Sequence, residues 1–150
     1  MGILGALFAG KTATISAREA YRRLQEDPNV VIVDVRQPIE TRAGTVPGAV
    51  LIPLSEFGGR LEELPRDRPI LTICRSGHRS PLAARQLKRA GYQVTDVAGG
   101  TLAWQKAGLP LVDARGGAGG KLAWQKAGLP LVDARGGAGA GRGSGERQPA

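Results

Sequence analysis

The chain of 150 residues has one cysteine, one histidine, one methionine and six aromatic residues, two each of Trp, Tyr and Phe. A lone cysteine cannot close an intramolecular disulfide, and with a lone histidine it cannot assemble a multi-cysteine metal site. The chain therefore reads as a cytoplasmic protein with a free thiol, and no metal or organic cofactor is implied. With so few aromatics, the core has to be built from Val, Leu, Ile and Ala. Long hydrophobic runs are also missing. The longest near the start, Ile3-Leu4-Gly5-Ala6-Leu7-Phe8-Ala9, is far too short to span a bilayer. No Lys or Arg precedes it, so a secretory signal is not expected. Ala6 stands where acylation of Gly2 would want Ser or Thr. Residues 1–11 are read as an apolar arm packing on the domain.

Acidic residues are in the minority: 13 Asp and Glu face 21 Lys and Arg, for a net charge of +8. Fifteen basic and ten acidic residues fall in 1–112, six and three beyond. The basic residues are scattered and not interleaved with aromatics, which argues against a nucleic-acid surface. A modest positive field suits a small anionic substrate.

What is present alternates in character along the chain. Ser16 and Glu19 have capping-box spacing, and Ala17, Ala20, Tyr21 and Leu24 form the apolar face of a helix stopped by Asp27-Pro28-Asn29. Val30-Val31-Ile32-Val33 is a continuous β-branched run, the pattern of a strand buried on both faces. Pro47-Gly48 turns the chain into a shorter run, Ala49-Val50-Leu51-Ile52. Ser55 is expected to cap a helix carrying Phe57, Leu61 and Leu64, closed by Pro65. Pro69-Ile70-Leu71-Thr72-Ile73 is the next strand. Ser80-Pro81 starts a helix, Ser80 as cap, with Leu82, Ala83, Leu87 and Ala90 inward and Gly91 at its end. Gln93-Val94-Thr95-Asp96-Val97 is the last strand before Gly99-Gly100. The alternation predicts an α/β fold whose mostly parallel sheet is covered on both faces.

Cys74 follows directly on the third of these strands, and a helix begins six residues later. In open parallel sheets ligands bind at the carboxyl ends of the strands. Loop N–H groups and a helix N-terminus there favour a thiolate over a thiol, and Arg75 and Arg79 add positive charge. A thiolate at neutral pH is what nucleophilic sulfur chemistry requires. Cys74 is therefore the candidate nucleophile, and Arg75, Ser76, Gly77, His78 and Arg79 are the candidate anion-binding cradle. His78 reads as a side chain at the pocket rim and not as a general base. Asp34, Arg36 and Glu40 read as a structural ion pair and cap.

The segment Cys74-Arg75-Ser76-Gly77-His78-Arg79-Ser80 resembles the active-site loop of the rhodanese family of sulfurtransferases. The resemblance covers about residues 12–112. Asp34-Val35-Arg36 with Glu40 is similar to the family's early Asp-x-Arg…Glu element. Gly44-Thr45-Val46-Pro47-Gly48-Ala49 is similar to its Gly-His-Ile-Pro-Gly-Ala turn, with Thr45 where the family usually has His. Gly99-Gly100-Thr101-Leu102-Ala103-Trp104 is similar to the stretch that opens its last helix. The resemblance implies a rhodanese-like open parallel sheet of about five strands. It implies an enzyme that moves a sulfane sulfur from thiosulfate or a persulfide to cyanide or a thiol acceptor through a Cys74 persulfide. Four residues between Cys74 and Arg79 is the sulfurtransferase loop length; the related phosphatases and arsenate reductases carry one more. A persulfide carrier or interaction module is the alternative outside catalysis. The implied partners are a small anionic sulfur donor and a thiol or protein acceptor. The sequence leaves the oligomeric state open.

Residues 102–119 recur without change at 122–139, within a Gly-rich stretch, 113–150, that holds eleven glycines and reads as a flexible tail. Two copies are too few for a solenoid. Both offer the same apolar face, and Gly99-Gly100 sets the approach of the first to the last strand. A chain ending at Gly120 is accordingly expected to keep its melting temperature and its sulfurtransferase rate. In the full chain, a soluble quencher should reach Trp124 but not Trp104. Unfolding of the truncated chain would show that the second copy is structural.

Overall fold

The structure, a computed structural model, describes residues 12–113. The apolar arm at 1–11 and the second copy at 122–139 lie outside the described residues. In chain order the elements are β1 (Ala13–Ile15), α1 (Ala17–Glu26), β2 (Val31–Asp34), α2 (Pro38–Thr41), β3 (Val50–Leu51) and α3 (Leu54–Phe57). After a single 3-10 turn at Leu61–Glu63 come β4 (Ile70–Ile73), α4 (Ser80–Arg89), β5 (Val94–Val97) and α5 (Gly100–Lys106). The strands form one sheet in the order β1-β5-β4-β2-β3, and every pair is parallel. Parallel neighbours need crossovers, and helices packed on the two faces of the sheet supply them.

Side chains alternate between those faces along each strand. Val33, Ile70 and Cys74 face α3 and α4, where they pack with Phe57, Ala83 and Leu87. Ile32, Leu71, Ile73 and Val97 face α1 and α5, where they meet Ala17, Ala20 and Trp104. The β-branched runs of β2, β4 and β5 thus occupy the centre of the sheet, buried from both sides. Trp104 is fully buried, and its indole N–H donates to the Pro110 carbonyl at 2.8 Å.

Several expectations about single elements need correction. The edge strand β1 was not foreseen, nor was the short α2, which starts at Pro38 and is capped reciprocally by Gln37 and Glu40. The helix expected from Ser55 to Leu64 is two separate turns, with Ser55 inside the first and Pro53 at its cap position. Gly58 and Gly59 fall between the turns, where their poor helix propensity interrupts the ladder. Ser80 is the first residue of α4 and not its cap; Arg79 holds that position.

The carboxyl end of β2 carries a buried polar knot. Asp34, Arg36 and Thr45 are all less than a tenth exposed. The Arg36 guanidinium donates to Asp34 Oδ2 at 2.7 Å and to the Gly44 carbonyl at 2.7 Å. The Arg36 backbone N–H donates to Asp34 Oδ1 at 3.0 Å. The Thr45 hydroxyl, standing where the family usually has His, donates to Asp34 Oδ2 at 2.8 Å. The Thr45 and Val112 backbones exchange hydrogen bonds of 2.9 and 2.8 Å, which ties this knot to the end of the domain. Removing one member leaves the others buried and unpaired. Arg36→Ala should therefore cost about 3–5 kcal/mol in urea unfolding, and Thr45→Val about 1–2 kcal/mol. A loss below 1 kcal/mol for Arg36→Ala would mean that water replaces the guanidinium freely.

Candidate active site

Cys74 leaves the carboxyl end of β4, and its side chain is buried on the α4 side of the sheet. The loop that follows folds back over the sulfur, and the Gly77 N–H donates to Cys74 Sγ at 3.1 Å. Gly77 has a φ of +92°, and a Cβ there would crowd the Gly99 backbone at 3.0 Å. The loop's carbonyls are held from below. Thr101 N–H donates to the Cys74 carbonyl at 2.8 Å, and Leu102 N–H to the Arg75 carbonyl at 3.0 Å. This docking requires Gly100, with φ +62°, because any Cβ at that position would collide with those two carbonyls. The first turn of α5 thus takes the loop's acceptors, and the loop's donors are left to face the sulfur.

Burial by itself pushes the Cys74 thiol up. It is outweighed by the Ser80 hydroxyl and by the backbone N–H groups of Ser80, Arg79 and Gly77, so the thiol lies below its ordinary value. The six-residue turn from Cys74 to Arg79 therefore favours an anion on sulfur mainly through fixed dipoles.

The predicted cradle residues divide into three groups. Gly77 touches the sulfur through its N–H, and the backbones of Arg79 and Ser80 help lower the thiol's pKa. Ser76 and His78 are exposed and bond to each other, Oγ to Nδ1, at 2.8 Å. The two arginines differ. Arg79 donates to both oxygens of Glu40, at 2.8 and 2.7 Å. Glu40 also accepts from the Gln37 N–H that begins α2, at 3.0 Å. The Arg79 guanidinium, for which the sequence leaves both an anion contact and a bracing role open, ties the cysteine loop to α2. It stands near enough to the sulfur for a thiolate to add to the effect of Glu40 in raising its own pKa. Arg75 is exposed and makes no ion pair among the described residues. It lines a depression of about 250 Å³ together with Ile39, Glu40, Leu102, Gln105 and Leu111. Ile39 is 70% and Leu102 43% exposed, which gives the depression an apolar rim.

Sequence reasoning missed Ser80 as a side chain that acts on Cys74, having used it as a helix cap. It also missed the pairing of Glu40 with Arg79, which no local pattern announces across 39 residues. The Gly99-Gly100 resemblance was the available signal for the α5 contact.

An ionisable cysteine in a tight loop at the carboxyl end of a central parallel strand defines a class of α/β domains built for cysteine chemistry. Within that class the assignment is specific: residues 16–107 match the Rhodanese-like domain, and the chain belongs to that family. A sulfurtransferase of Allochromatium vinosum is 37% identical over 103 residues, spanning 68% of this chain and 96% of the relative. The putative sulfur carrier protein YrkF of Bacillus subtilis is 36% identical over 97 residues, covering 64% of this chain and 52% of its own length. In structure, a rhodanese-related protein of Thermoplasma volcanium matches with a TM-score of 0.63 at 32% identity, over 67% of this chain and 97% of the other. No helix among the described residues is long and apolar enough to cross a membrane.

The Arg79–Glu40 brace can be tested by pH. Arg79, opposed by burial and helped by the Gln37 N–H, lowers Glu40 from an ordinary 4.5 to about 2. A carboxylate depressed by folding contributes stability above its unfolded pKa and loses it as pH falls through the folded value. The gap in stability between the parent and Glu40→Gln should be widest above pH 4.5 and should close as pH falls towards 2. Both partners are partly exposed, at 34% and 24%, so the gap should be only about 1 kcal/mol. Thermal melts across that range measure it, and a gap independent of pH would mean that the pair does not brace the loop.

Proposed function

We propose that the domain moves a sulfane sulfur from thiosulfate or a persulfide donor to a thiol or protein acceptor, with Cys74 as the carrier of the sulfur. The observation that carries this reading is the Gly77 N–H donating at 3.1 Å to the buried Cys74 sulfur, in a loop whose donors hold the thiol below its ordinary value. In the first half-reaction the Cys74 thiolate attacks the outer sulfur of thiosulfate. The bond between the two donor sulfurs breaks, sulfite leaves with its electron pair, and a Cys74 persulfide remains. In the second half an acceptor thiolate, or cyanide in an assay, attacks the outer sulfur of that persulfide, and the Cys74 thiolate departs. No proton need be removed in either half if the thiolate is preformed, so His78 has no part as a base.

The same N–H groups suit the terminal, negatively charged sulfur of the persulfide. Arg75 is the cation free to meet the donor's sulfonate, with Ser76 and His78 at the rim and Arg79 holding the loop in shape. Transfer onward is intermolecular, because the chain has no second cysteine to attack the persulfide. A cytoplasmic setting follows from the free thiol. The apolar-rimmed depression beside Arg75 favours an acceptor larger than cyanide. That leaves room for a second reading, a persulfide carrier that hands its sulfur on to a protein; the Bacillus relative is named as a sulfur carrier protein.

Incubation with thiosulfate should add one sulfur atom to the intact mass of the parent, and cyanide should remove it. Cys74→Ser should take up none while melting at the parent temperature. Arg75→Ala should weaken the use of thiosulfate by about 1–3 kcal/mol, the range for a lost charge-assisted contact. Equal thiocyanate production by Cys74→Ser and the parent would refute the mechanism. Persulfide formation with negligible turnover on cyanide would favour the carrier.

A further inference from the structure

Three large hydrophobic side chains are exposed among the described residues: Ile39 at 70%, Leu82 at 45% and Leu102 at 43%. Each stands in the first turn of a helix that follows a strand, Ile39 in α2 after β2, Leu82 in α4 after β4 and Leu102 in α5 after β5. Because these strands are parallel, the three first turns gather at one end of the sheet, the end at which Cys74 leaves β4. Ile39 and Leu102 line the same depression as Arg75. Leu82 is tied to the cysteine loop by its N–H, which donates to the Arg79 carbonyl at 3.0 Å. Hydrophobic side chains exposed singly over a surface are ordinary, whereas exposed ones gathered about one loop mark a face used for contact.

The unpaired charge around the depression is positive. Arg75 lines it, Arg42 stands in sequence between its lining residues Glu40 and Ala43, and Lys106 lies one turn beyond Leu102 on α5. All three cations are exposed, and none makes an ion pair among the described residues. The other charged groups that line the depression are neutralised in pairs, Arg36 by Asp34 and Glu40 by Arg79.

Charge argues against two occupants close at hand. The chain at 113–150 carries six basic and three acidic residues, and a second copy of the domain would bring the same cations against this face. The hollow, about 250 Å³, fits a protruding segment and not a flat bilayer. We propose that this face receives the sulfur acceptor as a protein segment in which acidic and apolar side chains stand side by side. Its apolar side chains meet Ile39 and Leu102, and its carboxylates meet Arg75, Arg42 and Lys106. The inference rests on the reading of Cys74 as the sulfur carrier and names the class of acceptor. Apolar contact supplies the affinity, and complementary charge selects the partner and speeds its approach.

The test is the binding of short fluorescent peptides without cysteine to the full chain, read by anisotropy. A peptide alternating Leu and Glu should bind several-fold more tightly than one alternating Leu and Lys or Ser and Glu, and added salt should weaken it. Ile39→Ser and Lys106→Glu should each weaken it several-fold; both residues are exposed, so both variants should melt with the parent. Arg89→Glu at the last residue of α4, which changes the net charge as much as Lys106→Glu, should leave binding as it is. Equal binding of the Lys peptide, an unchanged affinity in Ile39→Ser, or equal losses in Lys106→Glu and Arg89→Glu would overturn the proposal. So would binding that appears only in a chain cut at Gly120, which would make the tail the occupant, or a dimer that Ile39→Ser dissolves, which would make it a second copy. Retention on phosphatidylserine vesicles, lost in Lys106→Glu, would assign the face to a membrane and overturn it as well. The readout needs no sulfur on Cys74, so a Cys74 that fails to load refutes the transfer reading, and a face that fails to bind refutes this one.

Discussion

The contact on which the site depends is the one between two backbones, where the carbonyls of Cys74 and Arg75 meet the amides of Thr101 and Leu102. A buried thiolate has lost its water and has to be compensated by donors already in place. In a tight turn, carbonyls and N–H groups compete for the interior. Here the carbonyls are drawn off to α5, and the N–H groups of Gly77, Arg79 and Ser80 remain for the sulfur. The arrangement tolerates no side chain at Gly100, since a Cβ there would meet both carbonyls. The Cys74 sulfur is therefore conditioned by a residue in another element, 26 positions along the chain.

Around this contact the positive charge of the domain is sorted by task. Arg36 is buried against Asp34 and braces the end of β2. Arg79 is spent on Glu40, which fastens the cysteine loop to α2. Arg75 alone of these three makes no ion pair among the described residues. Sequence offered Arg75 and Arg79 as anion contacts, whereas the geometry leaves only Arg75 of the two without an ion pair among the described residues. Two acidic side chains, Asp34 beside Arg36 and Glu40 distant from Arg79 in sequence, set this division by pairing with the other two arginines.

The legibility of the fold followed from burial. Strands β2, β4 and β5 lie at the centre of the sheet; the first two appear as β-branched or apolar runs and β5 as Val and Thr around Asp96, and they were readable. The edge strand β1 is three residues long and largely exposed, with its partner at the far end of the domain; no apolar run marks it. The site was legible where its chemistry is local: the cysteine after a strand, the glycine in the loop, the helix start six residues on. It was illegible where partners are remote. The Arg79–Glu40 pair spans 39 residues, and the Thr72–Asp96 hydrogen bond spans 24. Ser80 was misread because Ser before Pro is a strong helix-cap pattern, whereas Ser80 is the first residue of α4, fully buried, and helps lower the Cys74 thiol. Thr45 shows the converse, a departure from the family that the structure absorbs by letting a hydroxyl bond Asp34.

The α5 contact also orders events during synthesis. Cys74 leaves the ribosome before Thr101 and Leu102 do, and before β5 has closed the sheet beside β4. Until those residues emerge, the loop's carbonyls have no amides to hold them and the turn has no reason to aim its N–H groups at the sulfur. The nascent chain thus carries a cysteine without the donors that the folded loop gives it. It gains the donors that lower its pKa only when the last helix docks, so the electrostatics of the loop arrive with completion of the domain.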